Sequence, residues 1–442
     1  MGGARPRLEG VATAVAAGAR AFCGRGPNFC YSRRYSEVDD RHFGPQPMRA
    51  TQSMIVALGT AHIEIVRAAY APSRKLLYVA DMPLKTESHV IFSADLQRFA
   101  GALFEAAGVA SAIADEWAKS LVWANLRGVD SHGVLRIPGY IERLKTKAIN
   151  PTPNMRVETR AGAIAVLEAD RAPGAVAMSM AMVEAIARAR EAHVGWCAAR
   201  NITHAGAVGY FALQAANAGM AGIVMSASGP MMAYHGAKVA GVSTNPLAIA
   251  FPVGNRSPLL LDMSTSTVAM GKVMSARDAG RDIPLGWGLD AEGRDTTDPG
   301  KLATLLPLGG PKGSGLSFMI ECLCSLTVGN PIIAPALAAG GKLDAPFLNG
   351  LAIAVDLAAF GDRARILEEA DRLAGRIAAL APDAHVERIY LPGERGDSVL
   401  RERKRDGIPL PQGTWSRLIA CAKMLGVTPP AVAQARGHRP PS

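Results

Sequence analysis

Residues 194–226 read Val-Gly-Trp-Cys-Ala-Ala-Arg-Asn-Ile-Thr-His-Ala-Gly-Ala-Val-Gly-Tyr-Phe-Ala-Leu-Gln-Ala-Ala-Asn-Ala-Gly-Met-Ala-Gly-Ile-Val-Met-Ser, and their reading decides the fold class. Residues 194–199 and 222–226 are short apolar runs of strand length. Between them, 210–217 has the length and composition of a helix that returns through Gly219. Working outward, 178–192 has helical spacing, and 164–168 reads as a short strand. The apolar runs 246–252 and 257–263 are bounded by turn residues. Strands alternating with helices over about 160–310 predict an α/β unit.

Helical spacing recurs outside that unit. Leu96, Phe99, Leu103, Val109, Ile113, Trp117 and Leu121 predict helix over 94–125 with a break at Gly108. Further helices are expected at 316–326, 363–380 and 415–425, with a strand near 351–355.

The 442 residues are enough for two or three globular units, and 49% hydrophobic with 19% charged residues excludes wholesale disorder. No run of eighteen apolar residues occurs, so no membrane span is expected. The net charge of +10 is concentrated: residues 1–81 hold eleven Lys+Arg against six Asp+Glu. The remainder is mildly basic and shows no Arg/Lys stripe interleaved with aromatics, which argues against a nucleic-acid partner. The six cysteines, Cys23, Cys30, Cys197, Cys322, Cys324 and Cys421, form no Cys-x-x-Cys pair, and the histidines form no His-x-x-x-His. Neither a metal site nor a disulfide framework is expected, and a cytoplasmic location fits. Residues 1–81 show no sustained strand or helix rhythm. The folded protein is expected to begin near Met82, with the upstream part dispensable.

Four motifs carry chemistry. Residues 127–140, Arg-Gly-Val-Asp-Ser-His-Gly-Val-Leu-Arg-Ile-Pro-Gly-Tyr, gather proton-transfer groups in Ser131 and His132 and a carboxylate fork in Arg136. If the segment is one helix, His132, Arg136 and Tyr140 share a face. Residues 201–209 place His204 in a loop whose Gly206 and Gly209 let backbone amides approach an anion. Residues 259–267 set Asp262 before a run of hydroxyls, suited either to ribose or to a helix cap. Residues 308–315 put Lys312 among glycines at a helix start, with a spacing that is not that of a Walker A loop. No Gly-x-Gly-x-x-Gly with a following acid appears, so a nicotinamide cofactor would have to use something other than the Rossmann turn.

In this order and spacing, these motifs resemble the malate/L-lactate (sulfolactate) dehydrogenase family, which includes ureidoglycolate dehydrogenase and Δ1-piperideine-2-carboxylate reductase. The resemblance covers roughly 88–430 and also draws on 243–246, 296–299 and 392–394. It implies hydride transfer between NAD or NADP and the carbonyl or alcohol carbon of a small 2-oxo or 2-hydroxy acid. Arg136 would bind the substrate carboxylate and Tyr140 would line the pocket. Ser131 and His132 would form a relay, and His204 would stand beside the nicotinamide, with both imidazoles remaining candidates for the proton donor. Ser228, Thr244, Asp262, Met263, Ser264 and Lys312 match cofactor-contact positions, and Gly206, Gly209, Asn245 and Gly313 of the same loops are expected to contact the cofactor with them.

The chain departs from the family at Ala205 and Ser314, usually aromatic, and at Gly229, acidic in some members. Lys272 stands where the piperideine reductases carry an acid, which counts against cyclic-imine reduction as the activity. Two further readings are a cofactor-binding protein without turnover and a hydrolase that uses Ser131 with His132. The implied architecture is α/β, a mixed-sheet non-Rossmann NAD(P)-binding domain packed against a discontinuous helical domain, sulfolactate dehydrogenase-like. Its expected parts are a poorly ordered extension at 1–87, a first helical part at 88–159, the nucleotide domain at 160–310 and a completing segment at 311–442. A homodimer is implied as well.

Overall fold

The computed structural model describes residues 88–278, 280–341 and 347–432, so the expected extension and the start at Met82 lie outside the described residues. Strand β1 (Ser88–Ile91) leads into helices α1 (Ser93–Ala106) and α2 (Ser111–Leu126), which are separated at Gly108, where φ is +92°. Leu96, Phe99, Leu103 and Phe104 of α1 are buried, as the helical period predicts. Phe104 stacks on Trp117 of α2 with ring centroids 4.0 Å apart. Each side chain of this size, once buried, contributes roughly 1.5–3 kcal/mol of transfer free energy.

The segment 127–140 is not one helix. Two single 3-10 turns, Asp130–His132 and Val134–Arg136, precede helix α3 (Ile137–Lys145), and Pro138 sits in its first turn. Gly133 divides the turns because Asn125 occupies the space beside it. The Asn125 Oδ1 atom accepts from the Val134 amide at 2.9 Å, and a Cβ on Gly133 would lie 2.2 Å from that oxygen. His132 therefore leaves the shared helical face expected for it, while Arg136, at the end of the second turn, caps α3 one turn before Tyr140.

A seven-stranded sheet forms the centre. Its chain-order members are β2 (Arg156–Ala161), β3 (Ile164–Glu168), β4 (Val194–Ile202), β5 (Met220–Ala227), β8 (Leu247–Phe251), β9 (Leu259–Met263) and β12 (Leu348–Asp356). Their spatial order is β2-β3-β4-β12-β5-β8-β9, with β3 and β4 parallel and the other neighbours antiparallel. A mixed sheet was expected, but its extent was not. The central strand β12 comes from beyond 310, so the range 160–310 does not contain the whole sheet. Strands β6 (Met232–Ala233), β7 (Ala240–Val242), β10 (Gly288–Leu289) and β11 (Thr304–Leu305) make a separate small sheet.

Helices α4 (Gly174–Ala192) and α5 (Gly209–Asn217) bury Met178, Met182, Phe211 and a run of alanines in the same core as the strands. The contact is close enough that a Cβ on Gly195 would lie 1.7 Å from the Ala185 carbonyl oxygen. Helix α6 (Met270–Asp278) follows β9, and α7 (Pro311–Glu321) runs into a π turn at Cys322–Leu326 before α8 (Ile333–Ala338). The helix expected at 316–326 thus starts earlier and changes its winding at the end. The C-terminal part supplies α9 (Arg363–Ala378), α10 (Glu394–Asp406), β13 (Ile408–Pro411, antiparallel to β1) and α11 (Gln412–Leu425). Helix α10 was not expected, because it buries no residue and its sequence reads as a solvated charge run.

Candidate active site

The motif at 127–136 is held from behind by the unexpected helix. Arg403 of α10 grips Asp130 with two hydrogen bonds of 2.7 and 3.0 Å, and Asn125 Nδ2 donates to the same carboxylate. Arg127 forms an ion pair with Asp397 and donates to the Gly393 carbonyl at 2.9 Å. The Leu260 amide of β9 in turn donates to the Pro392 carbonyl. Arg127, Asp130 and the Pro392 and Gly393 carbonyls are therefore struts that tie the 3-10 turns to α10 and β9.

On those turns, Ser131 Oγ lies 3.0 Å from His132 Nδ1, so the two adjacent side chains do reach each other. The His132 ring lies over the His204 ring, with centroids 5.5 Å apart and planes inclined by 16°. His204 comes from the loop between β4 and α5, and its Nδ1 is 2.7 Å from the Tyr140 hydroxyl. Arg136 donates through Nε to the Ser131 carbonyl at 2.7 Å. Its terminal nitrogens make no other hydrogen bond among the described residues. Arg136, Tyr140, Arg143, His204 and Ser228 line one cavity of about 450 Å³. Ser131 and His132 are not among its lining residues, and neither are the buried Ala205 and Ser314, so those small residues do not widen it.

Sequence reasoning missed Arg143. The available signal was its spacing, seven residues after Arg136 and three after Tyr140, which keeps it on the same helical face.

The electrostatics keep both imidazoles neutral. Enclosure by protein, helped by the Arg136 charge, pushes the His132 pKa down to about 4. His204 is held well below the usual histidine range by the same loss of water, then by His132, Arg136 and Arg143. The buried Tyr140 phenol is pushed up to about 12 by desolvation, against the lowering effect of Arg136 and Arg143. At neutral pH the hydroxyl thus keeps its proton.

These shifts predict acid destabilisation. Because the folded-state pKa lies below the unfolded value of 6.5, the unfolded chain binds the proton first. Stability is fully present above that value and is lost as pH falls from 6.5 toward 4. For His132 alone the loss is about 2 kcal/mol by pH 5. Urea unfolding at pH 7 and pH 5 should show a loss larger by about that amount in the wild type than in His132→Asn. An equal loss in both would remove His132 as the source.

The candidate cofactor residues lie at the ends of β8 and β9 and the start of α7. Met263, Ser264, Ser266, Thr267, Lys272 and Leu308 line a second cavity of about 290 Å³. Beside it the fully buried Thr265 carries an Oγ1 without a hydrogen-bond partner. Gly309 and Gly310, at φ +58° and +62°, turn the chain into α7 with Lys312 exposed at its start. Hydroxyls, two ammonium groups and an unpartnered buried oxygen are a donor set that fits the ribose and phosphate groups of a dinucleotide.

Not every expected contact residue has a group to offer. Asn245 is fully buried, accepting from the Ser228 amide at 3.1 Å and donating to the Ser317 carbonyl at 3.0 Å. Its side-chain amide is thus engaged inside the protein, tying Ser228 to α7 rather than facing either cavity. Gly313 is likewise buried with its amide on the Leu308 carbonyl, and a Cβ there would lie 2.4 Å from the Thr265 carbonyl oxygen. Its role is close packing. The Gly209 amide donates to Asp262 Oδ2 at 3.0 Å, so Asp262 caps the start of α5 from another strand. Gly206, at φ +83°, Thr244 and Ser264 remain half-buried.

A sequence profile described as malate/L-lactate dehydrogenase matches residues 91–419. The chain belongs to that family. Among the family's relatives, the ureidoglycolate dehydrogenase (NAD(+)) of Escherichia coli K12 is 35% identical over 306 residues, covering 69% of this chain and 88% of that protein. The L-sulfolactate dehydrogenase of Methanocaldococcus jannaschii is 35% identical over 307 residues, with the same two coverages. The solved malate dehydrogenase of Pyrococcus horikoshii OT3 superposes with a TM-score of 0.71 at 30% identity, covering 78% of this chain and 99% of that one. The Δ1-piperideine-2-carboxylate reductase of Pseudomonas syringae is also a structural neighbour, at TM-score 0.68 and 27% identity over 75% of this chain and 99% of that one. The mixed sheet with its late central strand is the fold of this malate/L-lactate dehydrogenase family.

Proposed function

We propose that this member of the family is an NAD(P)-dependent dehydrogenase that interconverts a small 2-oxo acid and the corresponding 2-hydroxy acid. The observation that carries the reading is the Tyr140–His204 hydrogen bond in a cavity that also holds the Arg136 fork. Arg136 binds the substrate carboxylate through its terminal nitrogens, as a planar fork matched to two oxygens. Tyr140 occupies His204 Nδ1, which leaves Nε2 as the nitrogen that exchanges a proton with the substrate oxygen. When bound, NAD or NADP supplies or takes the hydride at nicotinamide C4.

The proton balance follows from the charges. In the free protein His204 is neutral, with the Arg136 and Arg143 charges among the causes. A bound carboxylate offsets those charges and favours the imidazolium, which then protonates the nascent alkoxide during reduction. In oxidation the neutral ring takes the alcohol proton. Ser131 and His132 hold the second ring against His204, and only one of two such close imidazoles carries a proton at a time.

Ser228, Met263, Ser264, Lys272 and Lys312 would hold the dinucleotide, with Gly206 and Thr244 at its border. The helical part up to α3, joined by segments after 356, forms one side of the cleft and the large sheet the other. We further propose a homodimer, supported by Phe318, Met319 and Leu326, which stay more than half exposed on and just after α7. A cytoplasmic location is supported by four free cysteines among the described residues. No helix among the described residues is long and apolar enough to cross a membrane.

The test is a thermal-shift screen with NADH and NADPH, followed by a panel of 2-oxo acids monitored by NAD(P)H absorbance. One reduced cofactor should raise the melting temperature, and at least one 2-oxo acid should consume it. A protein that binds neither form, or consumes neither with any acid, overturns the reading.

A further inference from the structure

The turn that carries Ser131 and His132 cannot hold its shape from its own backbone. A single 3-10 turn closes too few hydrogen bonds to be stable alone. Here the His132 amide donates to the Val129 carbonyl at 2.9 Å and the Gly133 amide to the Asp130 carbonyl at 3.0 Å. The remaining support is tertiary. Arg403 of α10 bonds both Asp130 carboxylate oxygens and also donates to the Asn125 carbonyl. The Asn125 side chain donates to Asp130 and accepts from the Val134 amide at 2.9 Å. One cluster therefore fixes the residues on either side of the Ser131–His132–Gly133 stretch. Ser131 also meets α6 so closely that a Cβ on Gly271 would lie 2.4 Å from the Ser131 Cβ.

We propose that Arg403 is a positioning residue for proton transfer: by gripping Asp130, 273 positions away, it keeps the His132 ring stacked over His204. For its kinetic consequence the inference rests on the dehydrogenase reading above. Arg403 bonds neither ring, since its hydrogen bonds go to Asp130 and Asn125. The charged and titratable groups that face the two rings are Arg136 from the second turn and Tyr140 and Arg143 from α3. Lys272 of α6 lines the other cavity, and Arg127 is paired with Asp397. Release of Asp130 lets the turn open to water. A ring that regains water accepts a proton at higher pH.

Full-length wild type, Arg403→Met, Arg403→Lys, Asp130→Asn and Arg401→Met would be titrated by NMR with isotope-labelled histidine. The His132 signal is assigned by its loss in His132→Asn. In the wild type this ring should stay largely neutral down to pH 5, as a pKa of about 4 requires. Arg403→Met should raise the inflection by about one unit or more. Asp130→Asn should do the same, which separates lost positioning from the unpaired carboxylate that Arg403→Met leaves behind. Arg403→Lys should fall between, because one ammonium cannot reproduce the fork. Arg401→Met takes the same charge from the same helix and should match wild type, since Arg401 bonds Ser398 within α10. In turnover, Arg403→Met should lower kcat about tenfold to 10²-fold, with KM for the acid and Kd for NAD(P)H within about threefold. The inflection of the reduction rate should move to higher pH. Adding His132→Asn should move it no further than His132→Asn does alone.

An unchanged His132 titration in Arg403→Met, with only a lower melting temperature, reduces Arg403 to a structural tie and overturns the inference. A further shift in the double variant, or an Asp130→Asn protein without the shift, overturns it as well. If Arg403→Met does not fold, Arg403→Lys and Asp130→Asn decide by the same signal. If the wild type turns over no acid, the dehydrogenase reading fails on its own account. The NMR titration then still accepts or rejects the role of Arg403.

Discussion

His204→Ala is expected to slow turnover by about 10²–10⁴-fold while the protein still binds the reduced cofactor, because one proton-transfer group is removed and no cofactor donor is touched. The ring is held at Nδ1 by Tyr140 at 2.7 Å, stacked against His132 and open to the cavity. The sign of the pH dependence follows from the proton balance. Reduction consumes a proton, so its rate should fall as pH rises through the His204 pKa of the substrate complex. Oxidation releases one, so its rate should fall as pH drops through the same value.

His132→Asn is the control. It removes one of the groups that depress His204, so the inflection should move to higher pH while a substantial rate remains. Tyr140→Phe should lower kcat without removing the inflection, since the tautomer is then no longer fixed. The measurements are pH–rate profiles in both directions for the three variants. Loss of the inflection in His132→Asn and its survival in His204→Ala would transfer the proton to the Ser131–His132 pair.

Arg136→Ala should raise KM for every 2-oxo acid and cost roughly 10²–10³-fold in kcat/KM. The side chain is partly desolvated and pinned through Nε by the Ser131 carbonyl, so the fork that remains is pre-oriented toward the cavity. Arg136→Lys should restore only part of the loss, because an ammonium cannot reproduce two parallel hydrogen bonds. Cofactor affinity, read by fluorescence titration with NAD(P)H, should stay within about threefold of wild type, in contrast to the large KM effect. An alanine variant with an unchanged KM would end the carboxylate-clamp role. The two sets of variants separate binding from chemistry.

Much of the site was legible because its groups are close in sequence. Arg136 and Tyr140 are four apart, and the turn that carries Arg136 runs directly into α3, so both reach one cavity. Residues 201–209 read as a strand-to-helix loop from their glycines, and the structure places His204 in it. The strands at 164–168 and the helices at 178–192 and 210–217 follow from apolar spacing over a single element, a local property. The close packing at Gly195 was equally implicit in a chain rich in alanine and glycine.

What the tertiary structure alone decided lies in long-range pairings. No local pattern says that β12 inserts between β4 and β5, because an apolar run buried on both faces looks the same at a centre or an edge. The polar helix α10 reads as solvated charge until Arg403 meets Asp130 and Asp397 meets Arg127, more than 260 positions away. Asn245 and Gly313 looked like ligand contacts because their neighbours do face the clefts. Only burial shows that their polar groups are consumed inside the protein. The break at Gly133 and the shared cavity of Arg136, Arg143 and His204 have the same origin. The sequence by itself determined the elements and the chemical inventory, since these depend on neighbours along the chain. The structure determined which groups remain free to act, since that depends on which distant residues satisfy the rest.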